Sequence, residues 1–199
     1  MNAQVLLERL RNVSEGEPRK RGELFERFVK RYLQLDTYYG DLFDRIWLWR
    51  EWPDREGIDT GVDLVARERS SGSLWAIQAK FLDSGHVNHE EVSKFIASSP
   101  NPPFKKRLLI STGKLTSNAE KTIKQNGVSV LTIEDIIDSN IDWSLFNWEK
   151  PEKIIQREKE LRPYQKEAIE AVRKGFLRSD RGKLIMPPGS GKTFVALNI

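Results

Sequence analysis

Asp63, Gln78 and Lys80 are the residues of this chain whose types and spacing most directly suggest chemistry. Each interrupts an apolar run of strand length: Gly-Val-Asp-Leu-Val-Ala at 61–66 and Trp-Ala-Ile-Gln-Ala-Lys-Phe at 75–81. Side chains alternate faces along a strand, so Gln78 and Lys80 share one face while Ile77, Ala79 and Phe81 take the other. A carboxylate or an ammonium on an apolar strand is costly to desolvate unless a partner or a metal compensates. An acid, an amide oxygen and a lysine converging at neighbouring strand ends suit metal-assisted hydrolysis of a phosphodiester. A purely structural Asp63–Lys80 ion pair would meet the same desolvation cost.

The elements that must position these groups follow from periodicity. Ala3 to Asn12 forms a short amphipathic helix pattern, and Ser14 to Pro18 breaks it. From Lys20 to Leu33 the residues Leu24, Phe25, Phe28, Val29, Tyr32 and Leu33 recur at helical spacing. A tryptophan-rich strand is predicted from Phe43 to Trp52, then a polar loop from Pro53 to Thr60. Strands over 62–68 and 74–80 are joined by the turn-rich Arg69-Ser70-Ser71-Gly72-Ser73. A helix over 89–98 ends before Pro100, Pro102 and Pro103. Beyond it come a strand (Leu108 to Ser111), a helix (Ser117 to Gln125), a strand (Val128 to Thr132) and a short helix (Ile133 to Asp138). This order predicts an α/β domain over residues 1–148, with a mixed central sheet flanked by helices.

Residues 149–160 (EKPEKIIQREKE) are charged at eight of twelve positions and read as a linker. The remainder, 161–199, is organised differently. LRPYQKEAIEAVRKGF has a helix pattern, Lys183 to Met186 is a short apolar strand pattern, and Pro187-Pro188-Gly189-Ser190-Gly191-Lys192-Thr193 is a glycine-rich turn. Strand, glycine-rich loop and helix in that order form the context of a phosphate-binding loop. Backbone N–H groups of Gly189, Ser190 and Gly191 would wrap a phosphate, Lys192 would add a cation, and Thr193 would ligate Mg²⁺. Met186 stands where the strict pattern has Gly or Ala. An acidic strand motif and an arginine finger, which an ATPase needs, are not found in these residues. The expectation is therefore the N-terminal part of a longer motor protein.

Composition narrows the classes. The chain has 199 residues, 38% hydrophobic and 31% charged, with a net charge of +4 and no cysteine. Disulfide frameworks and thiolate zinc sites are excluded. No run reaches the length of a membrane span, the N-terminus lacks a signal-peptide core, and a cytoplasmic setting is expected. Arg19-Lys20-Arg21 and Lys105-Lys106-Arg107 are basic clusters that suit phosphates, although a solvated surface explains either alone.

Two resemblances add to this reading. Leu161-Arg162-Pro163-Tyr164-Gln165, followed by the glycine-rich loop, resembles the opening of a superfamily 2 helicase or translocase core, as in ATP-dependent restriction enzymes. That resemblance implies that Gln165 reads the adenine edge of ATP; an amide can both donate and accept there. Residues 20–112, through Gly22-Glu23-Leu24-Phe25-Glu26, Gly-Val-Asp-Leu-Val-Ala and Ile-Gln-Ala-Lys-Phe, resemble the Mrr-like branch of the PD-(D/E)XK nucleases, with Gln78 in the usual glutamate position. The combination is similar to the start of single-polypeptide (type ISP) restriction–modification enzymes.

The nuclease resemblance implies a restriction-endonuclease-like core and Mg²⁺ as cofactor. Its ligands would be Asp63, the Gln78 amide oxygen and the Ala79 backbone carbonyl. Lys80 would stand beside the attacking water, and Glu26 would complete the site at one remove, with Glu23 a close competitor. Asp59 is an outer candidate. Gln in place of Glu removes a charge, so weaker metal affinity is expected. Implied partners are double-stranded DNA, the remaining helicase, methyltransferase and target-recognition parts of a longer chain, and a second copy for a double-strand break. No membrane is involved. Two other functions share the core: a structure-specific repair nuclease or junction resolvase, and a catalytically inert module that binds DNA or docks onto the motor. His86-Val87-Asn88-His89 superficially resembles a histidine nuclease motif, but capping of the following helix is the simpler use.

Overall fold

The computed structural model describes residues 3–14, 16–55, 61–139, 141, 143, 147, 148, 161, 163–185, 195, 196 and 199. Two compact units divide the chain, Met1–Arg157 and Glu158–Ile199. Helices α1 (Ala3–Val13), α2 (Pro18–Leu35) and α3 (Thr37–Leu42) open the first unit. Strands β1 (Phe43–Leu48), β2 (Leu64–Glu68) and β3 (Leu74–Lys80) follow, then β4 (His86–Val87) and helix α4 (His89–Ser98). The unit continues through β5 (Phe104–Ser111), β6 (Lys114–Leu115), α5 (Ser117–Gln125), β7 (Val128–Thr132) and α6 (Ile133–Ile137).

Among the described residues five strands form one sheet in the order β1-β2-β3-β5-β7, and β4 and β6 pair separately. The β1–β2 and β2–β3 pairs are antiparallel, whereas β3–β5 and β5–β7 are parallel. The mixed α/β fold expected from the element order is thus the observed one. Parallel pairs require crossovers, and α4 and α5 provide them. Apolar alternation fills both faces. On one, Leu64, Ala66, Trp75, Ile77, Leu108 and Ile110 meet Phe25, Phe28, Val29 and Leu33 of α2. On the other, Val65, Ala76 and Leu109 meet Val92 and Phe95 of α4 and Ala119 and Ile123 of α5.

Several boundaries differ from expectation. The first strand ends at Leu48, not Trp52, and Trp49–Glu51 turns into a 3-10 helix. The turn is held from two sides: Glu51 Oε2 accepts the Leu48 N–H at 3.0 Å and pairs with Lys30 Nζ at 2.5 Å. Trp52 then buries in the second core, 5.5 Å from Phe104. β5 starts four residues earlier than expected because Phe104 pairs with Leu74 across the sheet. Helix α3 was not evident in the sequence; the Asp36 carboxylate caps it, accepting Tyr38 and Tyr39 N–H at 3.0 and 3.1 Å.

The second unit contains helix α7 (Pro163–Phe176), which buries Gln165 and Ile169. Lys183 to Ile185, expected as the start of a strand, carries none, and Ile185 is exposed. A strand needs a ladder to join, and among the described residues this unit offers no other strand. The charged linker 149–160, the glycine-rich loop residues Gly189, Ser190, Gly191, Lys192 and Thr193, and Asp59 lie outside the described residues.

Candidate active site

Backbone geometry brings Asp63 to the end of β3. Leu64 is the register partner of Ile77, yet the Asp63 N–H also reaches Ile77 O at 3.0 Å, so the ladder is irregular at Asp63. The Asp63 carbonyl accepts the Trp49 N–H at 2.8 Å, which ties the same residue to the turn after β1. With its main chain held on both sides, the side chain continues the ladder: Asp63 Oδ2 accepts the Ala79 N–H at 2.7 Å. An ionised acceptor makes such a bond stronger than a carbonyl would.

That bond fixes which way Ala79 faces. In an extended strand the N–H and C=O of one residue point to the same neighbour, so the Ala79 carbonyl also points toward the Asp63 side. The side chains of Gln78 and Lys80 share the other face, toward Gly61 and Glu91. The Gln78 amide donates from Nε2 to the Gly61 carbonyl at 3.2 Å, and Gly61 takes a φ of +86°, a conformation open to glycine and costly for other residues. Lys80 Nζ lies 2.6 Å from Glu91 Oε1 at the start of α4. The Asp63–Lys80 pair that the sequence allowed is replaced by this one. Burial pushes the Glu91 carboxyl up, but hydrogen bonds from Lys80 and from the Asn88 N–H outweigh it and hold the group below the usual carboxylate range.

The strand end is braced from α1 and α2. Arg21, almost buried, donates to Asp83 Oδ1 at 2.8 Å, and Arg11 reaches the same oxygen at 3.0 Å. Both guanidinium groups lie over the Phe81 ring, and Phe25 meets that ring edge-on at 5.7 Å. The segment that follows Lys80 is therefore clamped onto the helices rather than left to its own flexibility.

A cleft of about 770 Å³ is lined by Glu23 and Glu26 of α2, by Trp49, Arg50 and Arg55, and by Asp63. It unites Asp63 with both helix glutamates. Glu23 is engaged by Arg19 at 3.3 Å. Among the described residues the lining includes neither Gln78 nor Lys80; these approach Asp63 through the Ala79 backbone instead. Nothing in the sequence singles out Arg50 and Arg55, which fall in a tryptophan-rich strand pattern and a polar loop. Glu91 is not singled out as a site residue either, although Asn88-x-x-Glu91 is a capping-box signature, and the box is formed: Asn88 Oδ1 accepts the Glu91 N–H and Glu91 Oε2 accepts the Asn88 N–H, each at 3.0 Å. Asn88 thus caps α4, as the simpler reading of His86 to His89 had it.

Among the described residues no group of three or more His, Cys, Asp or Glu gathers that could hold a metal. Asp63, Gln78 and Ala79, the ligands expected from the sequence, offer donors of another kind: one carboxylate, one amide oxygen and one main-chain carbonyl. All three are hard oxygen donors of the kind Mg²⁺ takes, with few protein ligands and the rest left to water and phosphate. No helix among the described residues is long and apolar enough to cross a membrane.

Comparison with known proteins bears on the family and the fold. Residues 34–153, more than half of the chain, match the Mrr_cat_2 family model, described as restriction endonuclease. Residues 158–199 match a family described as type III restriction enzyme, res subunit. Among solved structures, the ATP-dependent type ISP restriction–modification enzyme LlaBIII bound to DNA matches with a TM-score of 0.75 and 38% identity over 96% of this chain. This chain spans 12% of that enzyme's length. The MspJI restriction endonuclease in complex with a 27-mer oligonucleotide matches with a TM-score of 0.48 and 20% identity, over 67% of this chain and 29% of that one, a likeness too loose to build on. No curated protein matches the chain.

Proposed function

The chain belongs to the restriction endonuclease family of the Mrr type, and from that premise we propose that it is the Mg²⁺-dependent DNA-cleaving domain of an ATP-dependent restriction enzyme, joined to the first part of its translocase motor. The observation that carries the reading is the 2.7 Å bond from the Ala79 N–H to Asp63, which sets an acid against the centre of the Gln78-Ala79-Lys80 tripeptide. Asp63, the Gln78 amide oxygen and the Ala79 carbonyl would hold Mg²⁺. When bound, the ion would neutralise charge on the scissile phosphate and make water easier to deprotonate. Lys80 would place a cation beside the phosphate oxygens as they gain charge. Glu26, across the shared cleft, would orient water toward Asp63, with Glu23 of the same cleft its competitor. Arg50 and Arg55 line the same cleft and suit the phosphates of a DNA strand.

In the second unit, Gln165 and the loop Gly189, Ser190, Gly191, Lys192 and Thr193 would bind ATP with Mg²⁺. That proposal rests on motif order and on the res-subunit match over residues 158–199. The division 1–148, 149–160 and 161–199 into nuclease, linker and motor is proposed on the same grounds. Further motor, methyltransferase and target-recognition parts are expected in a longer polypeptide. One such domain would cut one strand, and a second copy would complete a double-strand break.

The test uses the full-length protein on unbranched double-stranded DNA that carries its recognition site. Cleavage is expected only when Mg²⁺ and ATP are both present. Robust cutting of branched DNA without ATP would instead identify a repair nuclease or resolvase, and an absence of cutting under every metal would identify an inert docking module.

A further inference from the structure

Resting on the assignment of Lys80 as the cation beside the scissile phosphate, we infer that Glu91 is the positioning residue of this site, fixing where the Lys80 ammonium stands. A lysine carries its charge on four flexible methylenes, so the strand aims the Cα but not the nitrogen. On its own face of β3, the neighbour two positions back is Gln78, which is neutral and committed to Gly61. The counter-charge comes from α4 instead. Glu91 Oε1 stands 2.6 Å from Lys80 Nζ, and the pair is partly shielded, with the side chains 32% and 26% exposed.

The carboxylate is itself held in place. Its other oxygen accepts the Asn88 N–H at 3.0 Å, and the Asn88 side chain accepts the Glu91 N–H in return. One oxygen belongs to the helix cap and one to the lysine, so neither swings freely. Helix α4 in turn packs through Val92 and Phe95 into the core beneath the sheet. The position of the ammonium is thus set by a rigid element through two charge-assisted bonds. Position 78 of the strand is a neutral amide, and the following helix supplies a carboxylate to the lysine.

Glu91→Gln separates this role from capping. Glutamine still offers an oxygen to the Asn88 N–H, since the capping box accepts either residue, but it lacks the charge that holds Lys80. In the full-length enzyme with ATP and Mg²⁺, E91Q is expected to lower the single-turnover cleavage rate about 10- to 100-fold. DNA affinity should be unchanged or tighter, because a negative charge has been removed, and ATP hydrolysis should be unchanged. In a Lys80→Ala background the same change should have no further effect on residual cutting, because its target is gone. Cleavage by E91Q at or above the wild-type rate overturns the inference, as does a further loss in the Lys80→Ala background. If Lys80→Ala itself cuts normally, the assignment of Lys80 fails; if Lys80→Ala is inactive while E91Q is normal, only the role of Glu91 fails. Should E91Q melt below the assay temperature, Glu91→Asp, which keeps the charge but not the reach, is measured by the same criteria.

Discussion

Asp63→Ala is expected to lower DNA cleavage by the full-length enzyme about 10³-fold or more while ATP hydrolysis continues. The magnitude follows from what the carboxylate would hold. A divalent cation contributes several kcal/mol of transition-state stabilisation, and each power of ten in rate corresponds to about 1.4 kcal/mol. Asp63 is the one charged ligand proposed for that cation, since position 78 is an amide. The variant also strips the Ala79 N–H of its acceptor, which costs about 1–3 kcal/mol of stability if the group stays buried. Asp63→Asn removes that ambiguity. Its amide oxygen can still accept from Ala79, so the strand end keeps its bond while the negative charge is lost. Cleavage by both variants should fall together. An Asp63→Asn enzyme that cuts at the wild-type rate would leave Asp63 a purely structural residue.

The second large effect falls on stability. Phe28 of α2 is fully buried and stands at the centre of an aromatic cluster. Its ring lies 5.9 Å from Phe25 and 5.1 Å from each of Trp143 and Trp148. Phe28→Ala is expected to destabilise the nuclease unit by about 3–5 kcal/mol, the range for emptying a buried phenylalanine site. Much of the marginal stability of a domain of this size would be lost. Urea unfolding followed by tryptophan fluorescence checks this directly, because two of the reporters touch the deleted ring. A lower midpoint with an unchanged slope is the expected result. A change under about 1 kcal/mol would show that the cluster relaxes around the gap, contrary to the close packing described.

Much of the fold was readable because local signals agreed. β3, α4, α5 and β7 fall on the expected residues, where alternation or helical spacing is bounded by a cap or by prolines. Trp47 to Trp52 was not readable in the same way. Alternating tryptophans fit a strand and a 3-10 turn equally well, and the turn is decided by distant partners, Lys30 and Asp63. Lys183 to Ile185 shows the opposite failure: the local pattern favours a strand, but a strand forms only beside another.

The site was legible in its parts more than in its wiring. Strand alternation placed Gln78 and Lys80 on one face and Ala79 on the other, and the packing agrees. It could not show that Asp63 would leave the regular ladder and take the Ala79 N–H with its side chain. Nor could it find Glu91, which lies beyond a loop and joins the site only because α4 packs against the sheet. Arg50 and Arg55 reach the cleft for a similar reason, since the turn after β1 carries them there.

Whether one cation is shared by the acid and the strand end can be read without catalysis. Crystals of the protein soaked in Ca²⁺ should show an anomalous peak about 2.3–2.6 Å from an Asp63 carboxylate oxygen, with the Gln78 amide oxygen or the Ala79 carbonyl in the same range. An ion held by Asp63 and Glu26 with neither strand group, or no ion at Asp63 at all, would contradict the account.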